Sequence, residues 1–115
     1  MSSSLRVVSR TEPLAVVLEM HGDVSADGEL EIKGGYREAI EAGSPVVLIE
    51  LSDAAYINTS GISVLIEVAM EAKQQDVTLL VSGASPHYKK VFDLVRFTSF
   101  VSLFDTEAEA LASLG

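Results

Sequence analysis

Three features of the chain predict an α/β fold with a mixed, mostly parallel sheet. VVLIELS (46–52) is a near-continuous apolar run, the pattern of a central strand covered on both faces. A 3.6-residue apolar stripe begins at Ile62, shortly after that run. Strand-like and helix-like segments then alternate to the C-terminus, as βαβ units do.

Each element follows from its local pattern. LRVVS (5–9) and LAVVLEM (14–20), joined by RTEP, form an expected N-terminal β-hairpin. HGDVSADG (21–28) breaks the alternation. Ile32, Tyr36 and Ile40 then recur every four residues and give a helix one apolar stripe. Gly34 and Gly35 lie inside that helix, each costing about 1 kcal/mol relative to alanine, so it is expected to be irregular. AGSP ends it and VVLIELS follows. In the next helix Ile62, Leu65, Ile66, Ala69 and Met70 are the expected buried face, with Ser63, Glu67 and Glu71 opposite. VTLLVSG (77–83) is a strand. Ser85-Pro86 supplies a cap and a first-turn proline for a helix buried through Tyr88, Val91, Phe92 and Val95. FVSLF (100–104) is a short strand, and Thr106 with Glu109 has capping-box spacing for a last helix. The predicted order is β-β-α-β-α-β-α-β-α, about five strands and four helices.

Composition narrows the function. The 115 residues suit one domain, 1–115, with residues 1–4 expected to fray. There is no cysteine, hence no disulfide framework and no thiolate metal site. No apolar run approaches the roughly 18 residues of a membrane span, and MSSSLRVVSRTEP lacks the apolar stretch of a signal peptide. Cytoplasmic location without membrane insertion is the expectation. Seventeen acidic residues against eight basic ones give a net charge of −9, and Lys89-Lys90 is too little basic surface for nucleic acid. No catalytic residue, metal ligand or cofactor site is predicted. G-x-S-x-G and Walker motifs are absent, and His21 and His87 stand far apart with no carboxylate motif beside either.

The informative stretch is AAYINTSGISVLIEV (54–68). Asn58-Thr59-Ser60-Gly61 stands where strand should pass into helix. Bare helix N–H groups and the positive end of the macrodipole favour a polar cap or an anion there. Asn58, Thr59 and Ser60 are each candidate caps, and Asp23 and Asp53 could approach the same joint.

These residues resemble the STAS domain family, which includes bacterial anti-sigma factor antagonists and the cytoplasmic tails of sulfate transporters. ELSDAAYINTSGI resembles the family pattern D/N-L-S-x-(aromatic)-(hydrophobic)-D-S-(S/T)-G-(hydrophobic), with Tyr56 and Ile57 in the aromatic and hydrophobic slots. HGDVS resembles the family's turn after the second strand. SPHYKKVFDLVRF and SLFDTEAEAL resemble its later helix and its ending. The chain departs from the pattern at two positions, with Asn58 and Ser25 where the antagonists have aspartates.

The resemblance implies a STAS fold and an anti-sigma factor antagonist-like regulator without catalysis of its own. Its implied partners are an anti-sigma factor serine/threonine kinase, which supplies the ATP, and a PP2C-type phosphatase. The implied phosphorylation site is Thr59, with Ser60 as second choice. The implied partner-binding residues are Asp23, Ser25, Asn58, Thr59, Ser60, Gly61 and Ser63, in a protein that is monomeric when free. Two other readings are compatible with the family. One is a STAS accessory subunit of an ABC-type membrane transport complex, bound constitutively. The other is a ligand- or nucleotide-sensing STAS domain, for which the chain shows no phosphate loop.

Overall fold

The structure is a computed structural model that describes residues 4–115. Of the segment expected to fray, residues 1–3 lie outside the described residues. The strands are β1 (Arg6–Thr11), β2 (Val16–Val24), β3 (Val46–Glu50), β4 (Ala54–Ile57), β5 (Thr78–Ser82) and β6 (Ser102–Phe104). The helices are α1 (Glu29–Glu41), α2 (Thr59–Gln74), α3 (Pro86–Leu94) and α4 (Glu107–Ala112), and 3-10 turns lie at Ala26–Gly28 and Phe97–Ser99. The main sheet runs β1-β2-β3-β5-β6, with β1 antiparallel to β2 and every other pairing parallel.

Alternation along the central strands separates two cores. Leu18 and Met20 of β2, Val47 and Ile49 of β3, and Leu79 and Val81 of β5 pack with α1, α2 and α3 on one face. Right-handed crossovers that always step in one direction across the sheet put those three helices on the same side. Val17, Leu48 and Leu80 point the other way and pack with Ala110 of α4, with Val46, Phe104, Leu111 and Leu114 alongside. One short helix cannot cover that whole face. Two residues further along, the strands carry Glu19, Glu50 and Ser82, neighbours in the parallel register. Ser82 is fully buried, and its hydroxyl donates to Glu50 Oε1 at 3.4 Å.

Several expectations are corrected here. HGDV does not break the pattern; it extends β2 to Val24. Ala54–Ile57, read as part of the joint, forms the sixth strand, β4, and supplies the partner that keeps this extension paired. β2 exchanges β3 for β4 at Gly22, where the register shifts. Gly22 takes φ +106°, and a Cβ there would run into the Ser4 carbonyl. α1 is unbroken through both glycines. It buries Ile32, Tyr36 and Ala39, while Ile40 is only partly covered. α2 buries Val64, Val68 and Ala72 beside Ile62, Leu65 and Ala69, so Ile66 is peripheral and Met70 is exposed. Val95 lies just past the end of α3 and is exposed as well. The caps fall where expected: Ser85 accepts from the Tyr88 amide and Thr106 from the Glu109 amide.

Candidate functional site

The extended β2 and the short β4 end side by side and deliver two turns to one place. The Asn58 amide donates to the Val24 carbonyl at 3.2 Å, which continues the β2–β4 pairing by one residue. The chain then turns into α2. Asn58 holds an extended backbone, φ −91° and ψ 176°, and its Oδ1 accepts the Gly61 N–H at 2.8 Å. Asn58 is therefore the cap, in preference to either hydroxyl.

Ser60 is drawn into the same joint. Its hydroxyl donates to Asn58 Oδ1 at 2.8 Å and accepts the Ala26 N–H at 3.0 Å, tying the start of α2 to the turn after β2. Gly61 is required by that closeness. A Cβ at Gly61 would overlap the Val24 carbonyl, which is backbone and cannot step aside. On the other turn Ser25 caps the 3-10 segment, its hydroxyl accepting the Asp27 N–H at 3.3 Å. Asn58 and Ser25, where the resemblance leads one to expect aspartates, thus both serve as caps without a charge.

Thr59 is different. It is exposed, and its hydroxyl has no hydrogen-bond partner among the described residues. It is the first residue of α2, where anions are favoured by the helix dipole. Ser63, one turn on and exposed, donates its hydroxyl to the Thr59 carbonyl at 3.2 Å.

Beside the joint is an open groove of about 460 Å³. Asp23, Ser25, Asn58 and Ser60 line it, together with Leu5, Asp27, Glu31 and the half-exposed Tyr56. Its charged walls are carboxylates alone among the described residues. The groove gathers four of the residues expected to bind a partner. Thr59 and Ser63 stand outside it, and Gly61 is buried beneath. Asp53 is elsewhere, on the β3–β4 turn beside His21. Asp27 and Glu31 were not singled out from the sequence. They reach the groove only because the 3-10 turn folds back onto the start of α2.

The STAS domain family model matches residues 6–110. The chain belongs to the STAS domain family. A relative, BtrV of Bordetella bronchiseptica, a candidate anti-sigma factor antagonist, is 22% identical over 94 residues, 82% of this chain and 81% of that protein. An anti-sigma factor antagonist from Mycobacterium paratuberculosis superposes with a TM-score of 0.83 at 16% identity, covering 99% of this STAS chain and 98% of the other. SpoIIAA, a Bacillus cell fate determinant solved in its phosphorylated form, superposes at 0.72 with 15% identity, over 97% and 100% of the two chains. At these identities the superpositions establish the STAS fold. No helix among the described residues is long and apolar enough to cross a membrane.

Proposed function

We propose that this STAS protein is a regulator of the anti-sigma factor antagonist type, whose contact with a serine/threonine kinase is switched by phosphate on Thr59. The observation that carries this reading is the division of labour at the joint. Asn58 caps and Ser60 fastens the turn, so among the described residues the Thr59 hydroxyl has no structural bond to lose when modified. Ser60 is the poorer acceptor, since esterifying its hydroxyl would break the links to Asn58 and Ala26.

In the proposed step the kinase's ATP gives up its γ-phosphoryl group to Thr59 Oγ1, the hydroxyl proton passes to a base of the kinase, and ADP leaves. The product carries about −1.5 to −2 charges at neutral pH. The N-terminus of α2 accommodates that charge, with a favourable dipole term of about 0.3–1 kcal/mol. The fold therefore survives. A partner seated against a neutral hydroxyl and the adjoining groove would meet a doubly charged group, and repulsion with desolvation would release it. A phosphatase of the PP2C type would return the neutral state.

The test is a pull-down from host lysate with wild type, Thr59→Ala and Thr59→Glu, each first confirmed folded by circular dichroism, and phosphosite mapping of the protein from the host. The reading expects a kinase to come down with wild type and Thr59→Ala, to be lost with Thr59→Glu, and phosphate to map to Thr59. A transport ATPase retained equally by all three baits would favour the constitutive accessory-subunit reading instead.

A further inference from the structure

We propose that His21 is a protonation-dependent clasp that holds the β3–β4 turn against β2. His21 is the last β2 residue before the strand changes neighbour. It pairs with Arg6 of β1 along one edge, and on the other edge β3 pairs up to Glu19 and β4 takes over from Gly22. The Gly22 N–H donates to the Asp53 carbonyl at 3.2 Å, so the turn is already anchored at this point by one backbone bond. The imidazole adds two contacts. Nε2 lies 2.9 Å from Glu19 Oε1 and Nδ1 lies 3.4 Å from Asp53 Oδ2.

Ionised carboxylates only accept hydrogen bonds. The two contacts are therefore favourable together only in the imidazolium form, where Nε2–H donates to Glu19 and the charged ring attracts the Asp53 carboxylate as an ion pair. A neutral ring has one N–H to give. Glu19 is the nearer acceptor and is held in place by Arg10, which also binds Glu12 and Glu107. Asp53 sits on a turn with its side chain 68% exposed. The neutral ring keeps Nε2–H on Glu19 and turns the Nδ1 lone pair toward the Asp53 carboxylate. Attraction becomes repulsion, and the turn is released from the ring.

The charged groups on the surrounding elements do not replace this contact. Arg10 on β1 is committed to its three carboxylates, and Arg6, the cross-strand partner, is exposed. Glu50 on β3 is engaged by Ser52 and Ser82, and Asp23 on β2 lines the groove. The released turn leads directly through β4 to Asn58 and Thr59. The clasp thus places a pH-responsive element on the segment that carries the joint, whatever partner that joint binds.

Nitrogen-15 NMR of the full chain across the histidine range tests this, and His87 on α3 serves as an internal control. The clasp predicts a neutral His21 ring in the Nε2–H form. It also predicts that the Gly22, Asp53 and Ala54 amide shifts follow the midpoint of the His21 ring and not that of His87. In Asp53→Ala, folded by circular dichroism, the His21-linked shift of Ala54 should be lost. A neutral ring protonated on Nδ1 would overturn the clasp. So would turn amides that stay still while His21 titrates, or an Ala54 shift that persists in Asp53→Ala.

Discussion

Asn58 and Ser25 stand where the resemblance leads one to expect aspartates, and both still do what an aspartate does for the backbone. A neutral amide or hydroxyl oxygen accepts an end-of-helix N–H as well as a carboxylate does, so capping alone does not require charge. Asn58→Ala is expected to cost about 1 kcal/mol, read as a lower urea midpoint, because the Gly61 amide and the Ser60 hydroxyl both lose their acceptor. Asn58→Asp should hold the wild-type midpoint. Gly61 reverses the usual ranking of helix residues. Glycine to alanine normally stabilises a helix by about 1 kcal/mol. Here the added methyl would collide with the Val24 backbone, and Gly61→Ala is expected to destabilise by about 1–3 kcal/mol and lower the melting temperature.

Adjacent glycines in α1 separate propensity from packing at the scale of the element. Among the described residues nothing lies within 4 Å of a Cβ built on Gly34, whereas one on Gly35 would meet Leu18 Cδ2 at 3.3 Å and Val7 Cγ1 at 3.4 Å. Gly34→Ala is expected to raise stability by about 0.5–1 kcal/mol. Gly35→Ala should gain less, since two core side chains must shift to admit it, and thermal unfolding of the two variants side by side measures the difference. The same contrast explains why α1 is regular despite its glycines: packing of Ile32, Tyr36 and Ala39 onto the sheet outweighs weak local preference. In α2 the periodicity located the helix and most of its buried face. It could not choose between Val64-Val68-Ala72 and Ile66-Met70 as the far edge of that face, because both sets are apolar and the choice depends on where α1 and the sheet sit.

Arg10 joins parts of the molecule that are far apart in sequence, binding Glu12, Glu19 on β2 and Glu107 on α4. The Glu19 carboxyl is held below its ordinary value of 4.5, first by the His21 hydrogen bond and then by Arg10. A depressed folded-state value means that Glu19 contributes its stability fully above the ordinary value and loses it as pH falls through the lower, folded one. Urea midpoints measured from neutral pH downward should therefore fall less steeply below that value in Glu19→Gln than in wild type. The sequence by itself determined the α/β order, the hairpin, the caps at Ser85 and Thr106 and the polar joint, because each is written in residues close together along the chain. It left β4 invisible. Four residues with no periodicity become a strand only when the end of β2 offers them a partner. The tertiary structure alone decided that Asn58 caps, that Ser60 is tied to Ala26 and that Thr59 is left free. Three neighbouring polar side chains have similar local chemistry, and what separates them is the backbone of another turn, more than thirty residues away, brought within hydrogen-bonding distance of one of them.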